Sequence, residues 1–428
     1  MEKDKIFALK GNILFSKNRN TIVTYENSFI ICKNGKVDGV YSNIPEELRN
    51  IEIIDCSNKF IIPGLIDLHI HAPQYAYRGT QMDLELLNWL DNVTFPQESK
   101  YKDVTYAQNA YKIFAEDLKN SFTTRACIYG TIHVEATTIL MDYLEESGLI
   151  TMVGKVNMDR NSISDLIEQS PKESYENTKK WIENSKNKYK NTFPIITPRF
   201  TPACSDELMS LIGKLQRETT TPVQSHLSEN ISEISLVKEL CHDIINYSDS
   251  YAKHGLFGGN VPTIMAHCVY LENEEIDLIK ENEVFIAHCP NSNMNLSSGI
   301  APARKYLDKN IKIGLGSDIA GGVSISIFKA ITDAIQVSKL RWRLVDESLK
   351  PITFEESFYM ATKGGGEFFG KVGTFEKGYD FDVLVLDDSN IKSSMNGELS
   401  LRDRLERIAY IGEKDILKGK YVKGIKIL

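Results

Sequence analysis

The chain has 428 residues and a formal net charge of −8, from 50 lysines and arginines against 58 aspartates and glutamates. Hydrophobic residues make up 42% and charged residues 25%, a globular composition that excludes a disordered or collagen-like chain. The length exceeds one average domain but fits an α/β barrel with an added lobe. The acidic balance argues against a nucleic-acid polymer as partner, because proteins that bind one usually carry a basic patch.

The seven cysteines are scattered along the chain, and none forms a C-x-x-C pair. A disulfide framework or structural zinc knot is therefore not expected, and a reducing compartment is favoured. No uncharged apolar segment approaches the roughly 18 residues of a membrane helix, and no secretory signal is recognisable. We predict a soluble, cytoplasmic protein without a membrane partner.

The first sixty residues read as short strands joined by tight turns. Partly β-branched segments at 6–9, 13–16, 27–32 and 36–41 are separated by Gly, Asn and Lys. The dipeptide Asn34-Gly35 between two of them is a strong hairpin signal.

From Ile61 onward, apolar strand-like segments alternate with long helical ones. Helical spacing or composition marks 107–120, 178–188, 206–218, 231–240 and 274–281. Eight segments in the same part of the chain are strand candidates: 65–70, 123–129, 152–156, 195–200, 223–227, 263–268, 284–289 and 312–317. Strand–helix alternation repeated eight times predicts a closed parallel barrel.

After Gly370 strands return, at 383–386, 408–411 and 420–427. The economical interpretation is an α/β protein: a (β/α)8 TIM-type barrel with a small β-sandwich domain built from both chain termini. We place the N-terminal part of the small domain at 1–63, the barrel at 64–370 and the C-terminal part at 371–428.

Polar side chains fall at the carboxyl ends of the barrel strands, where enzymes of this fold carry their catalytic groups. On a strand the side-chain period is two, so His69 and His71 point to the same side. Alone they could be two satisfied core histidines. With His226 and Asp318 at two other strand ends, they form a His₃Asp set that suits zinc or ferrous iron.

Other groups near these strand ends leave alternatives open. His267 is a further ligand or a hydrogen-bond partner of the water at the metal, and His288 orients neighbouring groups. Glu229 is a proton shuttle or a solvated glutamate at a helix start. The fourth strand ends at Arg199 without a lysine that could bridge two ions, so one metal is expected rather than two.

Three side chains suggest the kind of substrate. Arg199 is a rigid fork of five donors that suits a carbonyl or anionic oxygen. Phe200 offers a ring for stacking, and the Gln74 amide offers both a donor and an acceptor. Together they favour a flat, polar heterocycle.

These residues carry a family resemblance. Residues 63–71 (PGLIDLHIH), the later strand-end His and Asp residues, and residues 373–386 (GTFEKGYDFDVLVL) resemble the metal-dependent amidohydrolase superfamily. Within it the chain is most similar to the guanine deaminase family, on segments that span nearly the whole barrel: 69–75 (HIHAPQY), 87–96 (LNWLDNVTFP), 198–200 (PRF), 226–230 (HLSEN), 287–293 (AHCPNSN) and 316–322 (GSDIAGG).

The resemblance implies specific roles. One zinc ion per subunit would be held by His69, His71, His226 and Asp318, with ferrous iron as the alternative. Glu229, His267 and Asp318 would be catalytic: Glu229 as proton shuttle, His267 holding the water. Guanine would be the small-molecule substrate, deaminated to xanthine and ammonia, and a homodimer is implied. Guanine would contact Gln74, Arg199, Phe200, His226, Glu229 and Asp318.

Two rival interpretations remain. One is a related amidohydrolase that deaminates another heterocycle, such as a pterin, cytosine or a triazine. The other is a non-catalytic barrel that serves as a scaffold, which the complete set of metal-ligand residues disfavours.

Overall fold

The chain begins with four strands of one sheet in the computed structural model, which describes residues 5–392, 394–395 and 399–428. They are β1 (Ile6–Asn18), β2 (Thr21–Lys33), β3 (Lys36–Tyr41) and β4 (Glu52–Pro63). The turn at Asn34-Gly35 joins β2 to β3, as its sequence predicts, with positive φ angles at both residues.

The barrel follows without a linker. Its strands are β5 (Leu65–His71), β6 (Thr123–Tyr129), β7 (Ile150–Gly154), β8 (Val156–Asn157), β9 (Thr192–Pro194), β10 (Thr197–Pro198), β11 (Val223–Leu227), β12 (Thr263–His267), β13 (Phe285–His288) and β14 (Ile313–Leu315). Neighbouring strands pair in parallel throughout. The barrel closes where the Asp318 amide donates to the His69 carbonyl at 2.8 Å.

Helices surround the barrel and form the connections between its strands. They are α1 (Leu86–Trp89), α2 (Phe95–Glu98), α3 (Val104–Lys119), α4 (Val134–Ser147), α5 (Pro171–Ser185), α6 (Asp206–Thr219), α7 (Ile231–Leu240), α8 (Asp249–Ala252), α9 (Asn273–Glu281), α10 (Pro290–Asn295), α11 (Ala303–Asp308), α12 (Ile327–Leu344), α13 (Phe354–Tyr359) and α14 (Leu401–Ile411). Asp103, Ser170 and Ser205 cap three of them through side chains that accept backbone N–H bonds. None of the helices in the described part of the chain is both long and apolar enough to cross a membrane.

The small domain is completed by the end of the chain. Its last strands are β15 (Val383–Leu386), β16 (Leu417–Val422) and β17 (Ile425–Lys426). The seven strands are hydrogen-bonded as one sheet in the order β17-β16-β15-β4-β1-β2-β3. This confirms a TIM-type barrel with a separate β domain drawn from both termini; the boundaries at 63 and 370 stay predictions.

One predicted strand is wrong. Residues 408–411 form the last turn of α14 instead. Leu401, Leu405 and Ile408 are buried at helical spacing, and the Ser400 hydroxyl accepts a bond from the Asp403 amide at the helix start. Residues 408–411 are an apolar segment short enough for a strand, and only the longer amphipathic pattern from Leu401 onward identifies them as the end of a helix.

Buried polar contacts join the small domain to the barrel. The Arg125 guanidinium on β6 donates to Asp380 and Asp382 at 2.6 Å each. Lys420 on β16 donates from Nζ to the carbonyl oxygens of Lys119 and Thr123 at 2.6 and 2.8 Å. These contacts lie at the start of β6, so the carboxyl ends of the strands stay available for a functional site.

Candidate active site

Four side chains converge at the carboxyl end of the barrel. His69 and His71 end β5, His226 lies near the end of β11, and Asp318 follows β14. The His71 Nε2 atom lies 3.2 Å from the Nε2 atoms of both His69 and His226. The Asp318 Oδ1 atom lies 3.1 Å from His69 Nε2 and 3.4 Å from His71 Nε2.

This donor set fits a divalent cation. Tetrahedral ligands about 2.0–2.1 Å from a zinc ion are separated by about 3.3 Å, close to the distances seen. The His226 Nδ1–H donates to the Arg199 carbonyl at 2.6 Å, so Nε2 carries a lone pair toward the other ligands. Burial and the neighbouring histidines hold the pKa of His71 and His226 well below the usual value, which keeps both rings neutral. Burial raises the pKa of Asp318, but the histidines outweigh it and hold the pKa well below its usual range.

A buried carboxylate behind the ligands joins the first barrel strand to the last. Asp67 Oδ1 accepts from the amides of His69 and Ser317 at 3.2 and 3.0 Å, and Oδ2 accepts from the Ser317 hydroxyl at 2.5 Å. Burial raises the pKa of Asp67 to about 6. Ser317 precedes Asp318 directly, so Asp67 fixes the backbone on both sides of the site.

His267 and Glu229 stand beside the four ligands. The His267 Nδ1–H donates to the Asn293 side-chain oxygen at 2.9 Å, and Nε2 has no hydrogen-bond partner among the described residues. That Nε2 atom lies 3.4 Å from Glu229 Oε2 and 3.6 Å from Asp318 Oδ2. It therefore offers an acceptor at the place where a water molecule would meet the metal.

Glu229 is held by its own set of contacts. Its Oε1 atom accepts from the Ser298 hydroxyl at 3.1 Å, and its amide donates to the Glu233 carboxylate at 2.8 Å. Tyr247 donates to the other oxygen of Glu233 at 2.6 Å. Burial, together with the charges of Asp318 and Glu233, raises the pKa of Glu229 well above its usual value. A carboxyl with this tendency is suited to deliver a proton.

His288 is fully enclosed nearby. Both of its ring nitrogens are buried without a hydrogen-bond partner in the described part of the chain. Burial and the proximity of His267 lower the pKa of His288 to about 4. It belongs to neither group of side chains with metal-ligand spacing, so its role stays a prediction.

Cys289 is a neighbour of the site that sequence reasoning did not include. Its Sγ atom lies with donor atoms of His69, His267 and Asp318 inside a 4.8 Å cluster. Burial raises the pKa of the Cys289 thiol well above its usual value, and the thiol contacts the Ala287 carbonyl at 3.4 Å. Because thiolate is the form that binds metals, this cysteine fits a packing role.

All six predicted substrate contacts line one pocket. Among the lining residues, Arg199 forms a two-pronged ion pair with Glu98, at 2.6 and 3.1 Å. Gln74 Nε2 donates to the same carboxylate at 2.9 Å. The full lining is His71, Gln74, Leu86, Trp89, Leu90, Arg199, Phe200, His226, Glu229, His267, Leu296, Asp318 and Gly321.

Sequence reasoning missed Glu98, Asn293 and Ser298. Each is buried and touches a predicted site residue. Glu98 lies 101 positions before Arg199, and no local pattern links the two. The sequence gives only indirect evidence for these three residues. Glu98 is the last residue of the aromatic segment 87–98, and Asn293 and Ser298 follow a strand end.

The family model for the amidohydrolase family matches residues 60–426, and the chain belongs to that family. The membership expected from the motifs is thereby confirmed. Its relatives include guanine deaminases. The Dictyostelium discoideum enzyme is 40% identical over 100% of this chain and 99% of its own length. The Homo sapiens enzyme is 36% identical over 90% of this chain and 85% of its own length.

The chain is also similar to a solved structure of a guanine deaminase. The guanine deaminase from C. acetobutylicum, crystallised with guanine bound in its active site, is 46% identical to this chain. It superimposes with a TM-score of 0.96, covering 99% of this chain and 100% of its own. The shared fold therefore extends over the barrel and the small sheet alike.

Proposed function

We propose that this chain is a guanine deaminase, which hydrolyses guanine to xanthine and ammonia. The observation that supports the proposal most directly is one pocket lined by two chemically different groups of side chains. His71, His226 and Asp318 of the His₃Asp set line it together with Glu229 and His267, and so do Arg199 and Gln74, whose side chains carry N–H donors. Relatives named guanine deaminase, aligned over the whole chain, support the same substrate.

His69, His71, His226 and Asp318 are proposed to hold one zinc ion per subunit, with ferrous iron as the alternative. When bound, such an ion acts as a Lewis acid that lowers the pKa of a water molecule. The neutral rings of His71 and His226 and the ionised Asp318 carboxylate match the ligand states that a divalent cation needs.

The side chains around the ligands account for the proton transfers. His267 and Asp318 accept the proton of the attacking water as its oxygen bonds to the ring carbon that bears the amino group. Glu229 gives a proton to the adjacent ring nitrogen, which relieves the negative charge that develops there. The amino group then takes the proton that His267 and Asp318 accepted, the carbon–nitrogen bond breaks, and the group leaves as ammonia. The new hydroxyl loses its proton to Glu229 and becomes the second carbonyl of xanthine.

The base is proposed to lie between Phe200 and the opposite wall of the pocket. Arg199 and Gln74 donate to its carbonyl edge. Trp89 and the leucines around it exclude water from the reacting face. His226 and Asp318 contact the base where it meets the metal-binding end.

Product analysis tests this function. The purified, zinc-loaded protein is incubated separately with guanine, adenine, cytosine and a pterin, and released ammonia and the heterocyclic product are measured. Guanine should give xanthine and equimolar ammonia, with turnover at least roughly a hundredfold above the others. Faster ammonia release from any of the other three would favour a related deaminase, and none from any would favour a scaffold.

The wider setting is also a proposal. The family resemblance supports a homodimer, and the composition supports a cytoplasmic protein that binds no nucleic-acid polymer and no membrane. We keep the division into 1–63, 64–370 and 371–428 as the proposed domain limits. Light scattering in solution at micromolar concentration tests the dimer directly.

A further inference from the structure

Glu98 is a buried carboxylate at the base end of the pocket. It ends α2 and is 1% exposed. Its two oxygens receive both terminal nitrogens of Arg199 and the amide nitrogen of Gln74. No other described residue forms a hydrogen bond or ion pair with this carboxylate in the structure. Its partners are thus two residues proposed to hold the base.

The ion pair neutralises this end of the pocket. Arg199 is 3% exposed, so its charge has little water to stabilise it, and the Phe95 ring lies 5.2 Å from its guanidinium carbon. The guanidinium and the carboxylate face each other at 2.6 and 3.1 Å, so the charge of the arginine is compensated within the ion pair.

Glu98 also fixes which atoms face the base. The Gln74 side-chain oxygen accepts from the Ala320 amide at 2.9 Å, while its nitrogen points to Glu98. The amide cannot flip without losing both bonds. The hydrogens left over on Arg199 and Gln74 are donors, so these two side chains present donors to the base.

We propose that Glu98 is a specificity-determining positioning residue: it keeps the base end of the pocket electrically neutral and holds the donors of Arg199 and Gln74 in place, so that a neutral carbonyl-bearing base is bound and an anionic one is not. The inference rests on the proposed function and deepens it. An arginine without its carboxylate would attract anions instead.

The reaction makes this distinction useful. Deamination replaces the amino group of guanine with a second carbonyl, and the resulting xanthine is the stronger acid. In mildly alkaline solution xanthine loses a proton and becomes an anion, while guanine stays neutral. A pocket that disfavours the anion releases product more readily than one built on an unpaired arginine.

Calorimetry with two ligands tests the role of Glu98. Xanthine is partly anionic at pH 8.5, whereas hypoxanthine presents the same carbonyl edge and remains largely neutral. The measured quantity is the ratio of their dissociation constants, xanthine over hypoxanthine, in zinc-loaded protein. Since both ligands are measured on one preparation, the ratio does not depend on the folded fraction.

Glu98→Gln should lower the ratio roughly tenfold, because the charge of Arg199 is left uncompensated. Glu98→Asp keeps the charge and should leave the ratio within about twofold of the wild type. Arg199→Gln leaves the carboxylate uncompensated and should raise the ratio, which provides a test if Glu98→Gln does not fold. A Glu98→Gln or Arg199→Gln ratio equal to that of the wild type would overturn the proposal. Ammonia release by the wild type is scored separately, so a failure of the proposed function is recognised independently.

Discussion

The backbone carbonyl of Arg199 accepts a hydrogen bond from the Nδ1 atom of His226 at 2.6 Å. The same residue therefore orients a proposed metal ligand through its main chain and faces the base through its side chain. The two roles are carried by different atoms, so a side-chain substitution at this position separates them.

Arg199→Gln should weaken guanine turnover while the metal stays bound. Loss of a charged donor to a carbonyl costs about 1.5–3 kcal/mol, equivalent to a fall in kcat/KM of roughly 10- to 150-fold. Metal content by elemental analysis should stay at one per subunit, since the carbonyl remains. His226→Ala is the contrasting variant, with metal expected below half an equivalent. Equal metal loss in both variants would contradict this separation.

Removal of the metal should abolish activity and lower stability. The buried His71 Nε2 atom lies 3.2 Å from the Nε2 atoms of both His69 and His226, a crowding of ring nitrogens that a cation between them relieves. Dialysis against a chelator should stop ammonia release and lower Tm by several degrees; added zinc should restore both. A chelator-treated protein that contains no metal and still deaminates guanine would exclude the assigned ligand role.

His267→Gln distinguishes the two interpretations that the sequence leaves open. If His267 holds and deprotonates the water, kcat should fall by about 10²–10⁴ with the metal retained. If it is a further ligand, the metal should be lost as well. The unpartnered Nε2 atom and its 3.4 Å distance from Glu229 favour the first outcome. His254→Gln, at a histidine paired with Asp206 away from the pocket, is the matched control.

Ser298 should act through Glu229. Ser298→Ala removes the hydroxyl that donates to Glu229 Oε1, and kcat should fall roughly five- to tenfold, the worth of one buried hydrogen bond. In a Glu229→Gln background the same change should have a much smaller effect, because the two residues work as a unit. Additive effects in the double variant would show that Ser298 acts elsewhere.

Lys420 should make stability rise with pH. Burial lowers the pKa of Lys420 to about 7 in the folded protein, whereas a lysine in the unfolded chain titrates near about 10.4. Between these values the unfolded chain binds more protons, so raising the pH favours folding by about 1 kcal/mol per pH unit.

The comparison with Lys420→Met isolates this effect. From pH 7 to 9 the free energy of unfolding of the wild type should increase relative to that of the variant, measured by urea denaturation. Lys418→Met, at an exposed position on the same strand, serves as the control and should parallel the wild type. A constant difference between wild type and Lys420→Met across this range would refute the assignment.

The barrel strands could be predicted from the sequence because each of them is an apolar segment followed by a polar one. The sequence was less informative for the small sheet. The segment 21–26 of β2 (TIVTYE) was not predicted as a strand, although five of its six residues are β-branched or aromatic; it is mostly exposed, and pairing with β1 decides its structure. The four proposed metal ligands could be singled out together because they share one kind of position, the end of a strand.

The contacts around that set were not recoverable in the same way. Glu98 and Ser298 reach their partners across 101 and 69 positions, through loops whose course depends on the packed barrel. A single glutamate or serine at such a place has the same local sequence context as a solvated one. Only the three-dimensional fold distinguishes them.

Because β4 lies between β1 and β15, the sheet cannot be completed on this side of β4 until the ribosome has made β15. Roughly 320 residues separate Pro63 from Val383, so at about 5–20 residues per second β4 waits some 15–60 s for its partner. During that time Phe60 and Ile62, both fully buried in the finished sheet, lie on an unpaired strand edge. A nascent chain with such an edge is a substrate for chaperones, and a transcript truncated before Val383 yields a product that carries it permanently.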